Sequence, residues 1–437
     1  MSLLDFFDIL LPVVVLGGML ILLAMGLEIA WSLAIVATIG LVFFLDQPIN
    51  QLAYTSWATL NSFTMSALPL FVLMGAVLSN SGASEYLFDG VEKWLGRLPG
   101  GLATSTIAGN AIFGAMCGSS VAATATFGRL VYPTMEERGY QPGFALACIG
   151  MGALLSPLIP PSALLIIYGA WQRVSIVALF AAAIVPGIML ALLLMLTVVI
   201  LASLNRNLAP QGDKYTWRER LVATRNLIPF ALIIVLVLGF LLGGITTPTE
   251  AGAIGAFLSI VVSLAYRRLN MAVLRASLFD AVKVTSFALF IVAMASVIAH
   301  VFNLAGIVSG AKELVLGLGL GRYGTLVLFF VGYLIGGMFL EAWSMLFITM
   351  PLVMPILLDL NISPVWWGVA YVIAGENSIM TPPFGLSLFV LQGIAPQHSV
   401  ETIFRAALPL FIPVYLTLAL MVIFPETALW LPSLIGL

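Results

Sequence analysis

Charge is what this sequence has least of: 8% of its 437 residues are Asp, Glu, Lys or Arg, while 62% are hydrophobic and the mean hydropathy is +1.14. A water-soluble chain carries about 25% charge, and one of 46.6 kDa needs polar side chains over a surface that grows with its mass. Soluble domains of any size are therefore excluded, and the solvent is lipid. Histidine is nearly missing as well; His300 and His398 stand far apart, without a second histidine at ligand spacing, which excludes histidine-based metal chemistry. Two cysteines, Cys117 and Cys148, form no disulfide framework and no C-x-x-C spacing, and read as small buried hydrophobes. A net charge of −2 leaves no basic surface for nucleic acid. No hydrolase elbow, Walker motif, kinase signature or dinucleotide loop occurs in a suitable context, so nothing marks an enzyme or an ATP-driven pump.

What is present is apolar sequence in long continuous runs, many of them approaching the length that crosses hydrocarbon as a helix. They do not alternate at period two, which excludes an outer-membrane barrel and predicts an all-α polytopic membrane protein of about 10 to 14 helical pieces. Asp5 and Asp8 precede the first run, unlike a cleaved signal peptide. The expected long helices are 9–25, 28–47, 64–80, 174–200, 226–243, 249–266, 284–302 and 402–424. Arg206, Lys214, Arg218, Arg220 and Arg225 cluster in the most polar stretch, 201–226, which predicts a cytoplasmic linker between a first unit, 1–200, and a second, 227–437.

The two units repeat. One constant shift along the chain pairs Glu28 with Glu250, Gly114 with Gly336, Pro133 with Pro355, Pro142 with Pro364, Ser156 with Ser378, Pro160 with Pro382 and Pro161 with Pro383. Four proline pairs at one offset predict a duplicated helical unit. With a cytoplasmic linker and an odd number of crossings per unit, the repeat is inverted, as in secondary transporters.

Four stretches carry the chemistry. Gly109–Gly128 places Gly114, Gly118, Ser119 and Ser120 between two apolar arms, predicting a re-entrant hairpin over 101–134; small-residue helix packing is the competing reading. Ser156–Ser162 holds three prolines that no helix can pass. Pieces 143–156 and 162–171 are thus one broken helix, with carbonyls suited to Na+ on one side of the gap and amides suited to a carboxylate on the other, unless the break is a plain packing kink. In the second unit Gly336–Met345 is the matching turn of a hairpin over 323–358, with Glu341 at the place of Ser119. Three roles are open to Glu341: cation ligand, titrating group, or cap of the second arm. Gly375–Gly385 matches the first break, between pieces 365–375 and 383–394, and is richer in side-chain oxygens: Glu376, Asn377, Ser378 and Thr381. Glu28 and Glu250 read as first-turn carboxylates at a structural joint, and Arg173 as an interface anchor rather than a carboxylate partner.

The GAMCGSS turn within Gly114–Gly128, IPPS at 159–162, TPTEAG at 247–252, GMFLEAWSM at 337–345 and TPPFGLSLFV at 381–390 resemble the large membrane subunit of a tripartite ATP-independent periplasmic transporter, over nearly the whole chain. The resemblance implies an importer of organic acids in the bacterial inner membrane, usually driven by Na+. It also implies a small four-helix membrane subunit and a periplasmic substrate-binding protein as partners. An elevator motion is implied in which scaffold and moving domain are each built from both halves. The family's tips and breaks fall on Gly118–Ser120, Ser156–Ser162, Glu341–Ala342 and Ser378–Pro383; many relatives carry aspartate at the second tip, and some have valine where Phe384 stands. No four-helix segment precedes residue 9, so the small subunit is expected as a separate chain.

Helix breaks and resemblance together assign Gly114, Gly118, Ser119, Ser156, Gly336, Glu341, Ala342, Ser378 and Thr381 to Na+ as the coupling ion, with no other cofactor. They assign Ser120, Pro160, Pro161, Ser162, Glu376, Asn377, Pro382 and Pro383 to the substrate side. A stand-alone Na+-coupled dicarboxylate or citrate carrier is the alternative, although Gly-Ser-Ser and Glu-Asn-Ser stand where such carriers have Ser-Asn-Thr. A non-transporting scaffold is disfavoured by repeated helix breaks, which cost backbone hydrogen bonds.

Overall fold

The computed structural model describes residues 11, 13–210 and 212–437; Asp5, Asp8 and the start of the expected 9–25 helix lie outside them. Among the described residues the secondary structure is helical, without strands. In chain order the helices are α1 Gly18–Ala24, α2 Ile29–Ile39, α3 Asn50–Leu60, α4 Ala67–Asn80, α5 Ser84–Leu95, α6 Gly101–Cys117, α7 Ser120–Glu137, α8 Pro142–Ala153, α9 Ala163–Gln172 and α10 Ile176–Leu204. There follow α11 Trp217–Leu242, α12 Pro248–Ala265, α13 Met271–Leu304, α14 Ile307–Gly317, α15 Gly321–Gly337, α16 Ala342–Asp359, α17 Pro364–Ser378, α18 Leu386–Ile394, α19 Val400–Ile423 and α20 Glu426–Leu434. Among the described residues seven helices are long and apolar enough to cross a membrane, or eight if the bent pair α14 and α15 counts as one span.

The duplication seen in the prolines is carried by the backbone. The shift that superimposes the prolines also carries both ends of α7 onto those of α16, and the start of α8 onto that of α17. The two cis peptides, Pro160-Pro161 and Pro382-Pro383, keep the same interval.

Several helices lie where apolar runs gave no signal. Helices α3, α5, α14 and α20 were not anticipated. α5 is short and amphipathic, with Glu85, Asp89 and Lys93 interleaved with buried Leu87, Phe88 and Val91, a pattern that continuous apolarity cannot find. The irregular stretch between the halves is 205–216, shorter than 201–226, because α11 begins in a capping box: the Thr216 amide donates to Glu219 Oε2 at 2.7 Å and the Glu219 amide to Thr216 Oγ1 at 3.3 Å. Charged residues are good helix formers once outside hydrocarbon. Pro248 likewise opens α12 behind a Thr247–Glu250 box, the structural joint expected at Glu250, while Glu28 precedes α2 without a side-chain capping bond.

The helices form two compact units. One takes the described residues up to Met65 with Lys283–Phe329 and Trp343–Pro364. Within it Trp31 packs edge-on to Phe290 at 5.0 Å, Gln51 meets His300 at 3.1 Å, and Lys312 pairs with Asp359.

The other unit, Ser66–Val282 with Phe330–Ala342 and Val365–Leu437, holds the first hairpin, the Gly336–Ala342 part of the second turn and both breaks; the rest of the expected second hairpin, including nearly all of α16, belongs to the first unit. Within it α4 packs closely on α12, where Gly252 and Gly255 let the helices close: a Cβ on Gly252 would stand 3.1 Å from Leu70 Cβ, and one on Gly255 would stand 2.6 Å from Met74 Sδ. At the base of the first hairpin the Leu102 amide donates to Tyr140 Oη at 3.1 Å, and Arg138 pairs with Glu92 at 2.9 Å and Asp213 at 2.7 Å. Burial opposes the Arg138 charge, but Glu92 and Asp213 outweigh it and raise the guanidinium above its ordinary value; burial also pushes the Tyr140 phenol up to about 12.

These contacts set a stability contrast. Gly252→Val overfills the α4–α12 seam and should destabilise by about 1–3 kcal/mol. Gly239→Ala on α11, with nothing within 4 Å of the added carbon, should be neutral or stabilising by up to about 1 kcal/mol. Unfolding midpoints in detergent measure both, and equal losses would contradict the packing described.

Candidate ion and substrate site

The first hairpin turns on two residues. Helix α6 ends at Cys117, Gly118 takes φ +66°, and Ser119 caps α7 by accepting the Ala122 amide at 3.4 Å. A left-handed φ favours glycine, since a Cβ there meets the backbone. The arms run back to back: Phe113 lies 5.5 Å from Phe127, and Gly109 faces the same ring across the turn. With its ends joined through Leu102 and Tyr140, this segment turns back on itself.

The tip is seated on the first helix break. A Cβ on Gly114 would fall 2.4 Å from Ser156 Cα and 2.6 Å from its Oγ, and one on Gly118 would fall 3.1 Å from the Ala163 amide nitrogen. Hence the α6 C-terminus, the α9 N-terminus and Ser156 meet at one point. Ser156 is fully buried and its Oγ has no hydrogen-bond partner. Ser162, also buried, uses its hydroxyl twice: it donates to the Pro157 carbonyl and accepts from the Leu165 amide at 3.3 Å. Pro160 and Pro161 are buried beside it.

The second turn closes differently. The Gly336 carbonyl accepts from Phe339 at 3.1 Å and from Leu340 at 3.0 Å, Glu341 is half-buried, and Ala342 is fully buried with its carbonyl taken by the Tyr371 hydroxyl. Gly375 brings α17 against Ala342, where an added Cβ would lie 3.5 Å from that of Ala342. The Met338 carbonyl accepts the Phe384 amide at 3.1 Å, and the two Phe rings, 339 and 384, lie 5.9 Å apart. Phe384 thus ties the second break to the second turn, while Pro383 beside it is exposed and Pro382 half-buried.

The two halves join through Glu376. Its carboxylate lies beside Ser120 of the first hairpin and within electrostatic range of Glu341, and Oε2 has no hydrogen-bond partner although the residue is 3% exposed. Next to it Asn377 donates to Tyr415 Oη at 3.1 Å and leaves Oδ1 without a partner. Ser378 donates to the Gly375 carbonyl, and Thr381 reaches the Asn377 carbonyl at 3.4 Å. Buried polar atoms are nearly always paired. Three orphaned oxygens, Ser156 Oγ at the first break and Glu376 Oε2 and Asn377 Oδ1 at the second, are therefore hard donors left over for a ligand.

The structure thus brings the tips and breaks together, but Ser119, Ser162, Ser378 and Thr381 already have hydrogen bonds of their own. Arg173 is not among them; it is exposed at the far C-terminus of α9. Residues not singled out from sequence also belong here. Tyr371 and Tyr415 supply hydroxyls, Gly75 lets α4 reach the Met116 carbonyl, where a Cβ would lie at 2.7 Å, and Asn110 leaves Oδ1 unpaired while facing Gly152. Asn110 was the findable one, since an amide in an apolar arm is costly in hydrocarbon.

Ser156→Ala removes a hydroxyl that bonds to nothing and should leave the unfolding midpoint unchanged. Tyr371→Phe strands the Ala342 carbonyl and should cost about 1–3 kcal/mol. Equal losses would mean that Ser156 Oγ has a protein partner after all.

Comparison with known proteins agrees with this architecture. The family described as "Tripartite ATP-independent periplasmic transporter, DctM component" matches residues 16–427. The C4-dicarboxylate TRAP transporter large permease protein DctM of Vibrio cholerae is 32% identical over 98% of this chain and 97% of its own, and the 2,3-diketo-L-gulonate TRAP transporter large permease protein YiaN of Escherichia coli is 33% identical over 94% and 95%. The crystal structure of the Alcanivorax borkumensis YdaH transporter is similar in fold, with a TM-score of 0.62 at 15% identity over 88% of this chain and 89% of that one. The chain belongs to the DctM family of tripartite ATP-independent periplasmic transporters and is a large permease of the inner membrane, crossing it many times.

Proposed function

We propose that this permease imports an organic acid into the bacterial cytoplasm by Na+ symport, taking its substrate from a periplasmic binding protein and working beside a small four-helix membrane subunit. The observation that carries the reading is that each turn is seated on its own helix break, Gly114 on Ser156 and Ala342 on Gly375, and that Ser156, Glu376 and Asn377 at those breaks keep buried oxygens without protein partners. Sodium supplies such partners, and broken-helix N-termini favour a carboxylate. The similar permeases named for C4-dicarboxylates and 2,3-diketo-L-gulonate support the substrate class. On this reading the two repeats are inverted in the membrane, and the two hairpins with the two broken helices move together as the elevator against the rest.

Without a nucleotide-hydrolysing domain the work must come from ions, and the membrane potential adds about 2.3 kcal/mol per charge per 100 mV. Two Na+ with one monoanion carry net positive charge inward. Uptake of radiolabelled acids, from a panel including succinate, into proteoliposomes with both partners should rise with a sodium gradient and with an inside-negative potential. Uptake indifferent to sodium would remove the coupling ion, and full uptake without the binding protein would establish the stand-alone carrier instead.

The orphaned oxygens give a sharper test. Ser156→Ala and Asn377→Ala should raise the sodium concentration for half-maximal uptake severalfold, while the protein inserts and purifies normally. An unchanged sodium curve in both variants would take these side chains out of the ion site.

A further inference from the structure

One cation in the same unit is left without a role. Arg129 stands in the middle of α7, nine residues after Ser120 and nine before Arg138, so about 13 Å of helix separates it from the turn and from the base alike. Among the described residues it makes no ion pair and no side-chain hydrogen bond, and it is exposed. A guanidinium at that depth is expensive in hydrocarbon and marks a functional site unless it faces water. It does face a groove, of about 660 Å³, lined by Ala125, Arg129 and Pro133 of α7 and by Val390, Gly393 and Ile394 of α18.

The two helices that line it pack along their length. Thr124 bonds Ser387 at 3.4 Å near the turn, a Cβ on Gly128 would lie 2.3 Å from Ile394 Cδ1, and Gln397 reaches Glu136 at 3.3 Å near the base. The helices therefore lie side by side in parallel, beginning at Ser120 and at the break containing Glu376, and ending at the hairpin base. That base is fastened to the 205–216 segment by Arg138–Asp213 and by the Gln141 amide, which donates to the Leu208 carbonyl at 3.0 Å. Basic residues crowd this end, including Lys93, Arg97, Arg206 and Lys214, which places it on the cytoplasmic side. Gly393 has open space where its Cβ would point.

We infer that the α7–α18 groove is a second anion site, in which Arg129 receives the carboxylate of the organic acid on its way from the central site to the cytoplasm. This rests on the import reading above. A lone guanidinium in a groove that water can enter attracts a carboxylate and can bind it bidentately. With no protein carboxylate paired to it among the described residues, the Arg129 guanidinium is open to a passing anion. Glu136 at the cytoplasmic end repels that anion, which favours release.

The test needs no transport, so it fails independently of the import reading. Gly393→Cys would be made in the full permease with its small subunit, with Cys117→Ser and Cys148→Ser, in inside-out vesicles. Two membrane-impermeant methanethiosulfonates would be applied from the cytoplasmic side, one carrying a sulfonate and one a trimethylammonium group, with labelling at that position followed by mass spectrometry. The expected result is labelling by both, with a sulfonate-to-ammonium rate ratio that falls about tenfold in Arg129→Gln and is retained in Arg129→Lys. Succinate at millimolar concentration should slow the sulfonate reagent when Arg129 is present and not in Arg129→Gln. Absence of labelling by either reagent would show a groove closed to water and overturn the proposal. So would a ratio unaffected by Arg129→Gln. A ratio that follows the phosphatidylglycerol content of the vesicles while ignoring succinate would identify a lipid headgroup site instead, and would equally overturn the substrate route.

Discussion

In hydrocarbon every backbone amide and carbonyl must find a partner inside the protein, and the rest of this structure depends on how two helices are nevertheless allowed to break. Pro157, Pro160 and Pro161 end one helix, and Pro382 and Pro383 end its repeat; neither gap is left open. Each is filled from the side by a turn of small residues, Gly114 and Gly118 in one half and Ala342 against Gly375 in the other. Glycine and alanine stand there because backbone has to approach backbone within the space a larger side chain would occupy. The hairpins are thus plugs for the breaks, and what they fail to satisfy is left for a ligand.

The two halves share this plan and differ in chemistry. In the first, Ser162 closes its gap with its own hydroxyl, and the prolines are buried. In the second, the break carries Glu376 and Asn377, engages the Tyr415 hydroxyl, and leaves Pro383 and Phe384 exposed. A symmetric scaffold with one polar and one largely apolar break can distinguish the two ends of an asymmetric acid. Ser120 of the first half and Glu376 of the second lie beside each other, which is where the two halves meet.

The polar contacts at the base of the first hairpin work at a different scale. Arg138, Glu92, Asp213 and Tyr215 hold the hairpin base to the segment joining the halves, through bonds of 2.7–2.9 Å that are partly solvated. Exposed ion pairs contribute little stability singly. Their value here is geometric: they fix where the first hairpin starts and stops, and hence where its tip meets Ser156.

The sequence by itself determined the class of fold, the duplication and the addresses of both turns and both breaks. Apolar length, glycine and proline act locally, through hydrocarbon thickness, left-handed φ and the missing amide proton, so Gly118, Pro160 and Pro382 could be read without knowing their neighbours. Helices α5 and α14 were hidden because amphipathic segments bury one face against partners that the sequence does not name. Only the tertiary structure decided which oxygens remain free. Ser119, Ser156, Ser162 and Ser378 look alike in the chain, yet three of them spend their hydroxyls on nearby backbone and Ser156 does not. Whether a buried hydroxyl has a partner depends on which carbonyl or amide packs against it. That is settled by side-chain contacts between segments far apart in sequence, as when Ser120 meets Glu376, and no local pattern carries it.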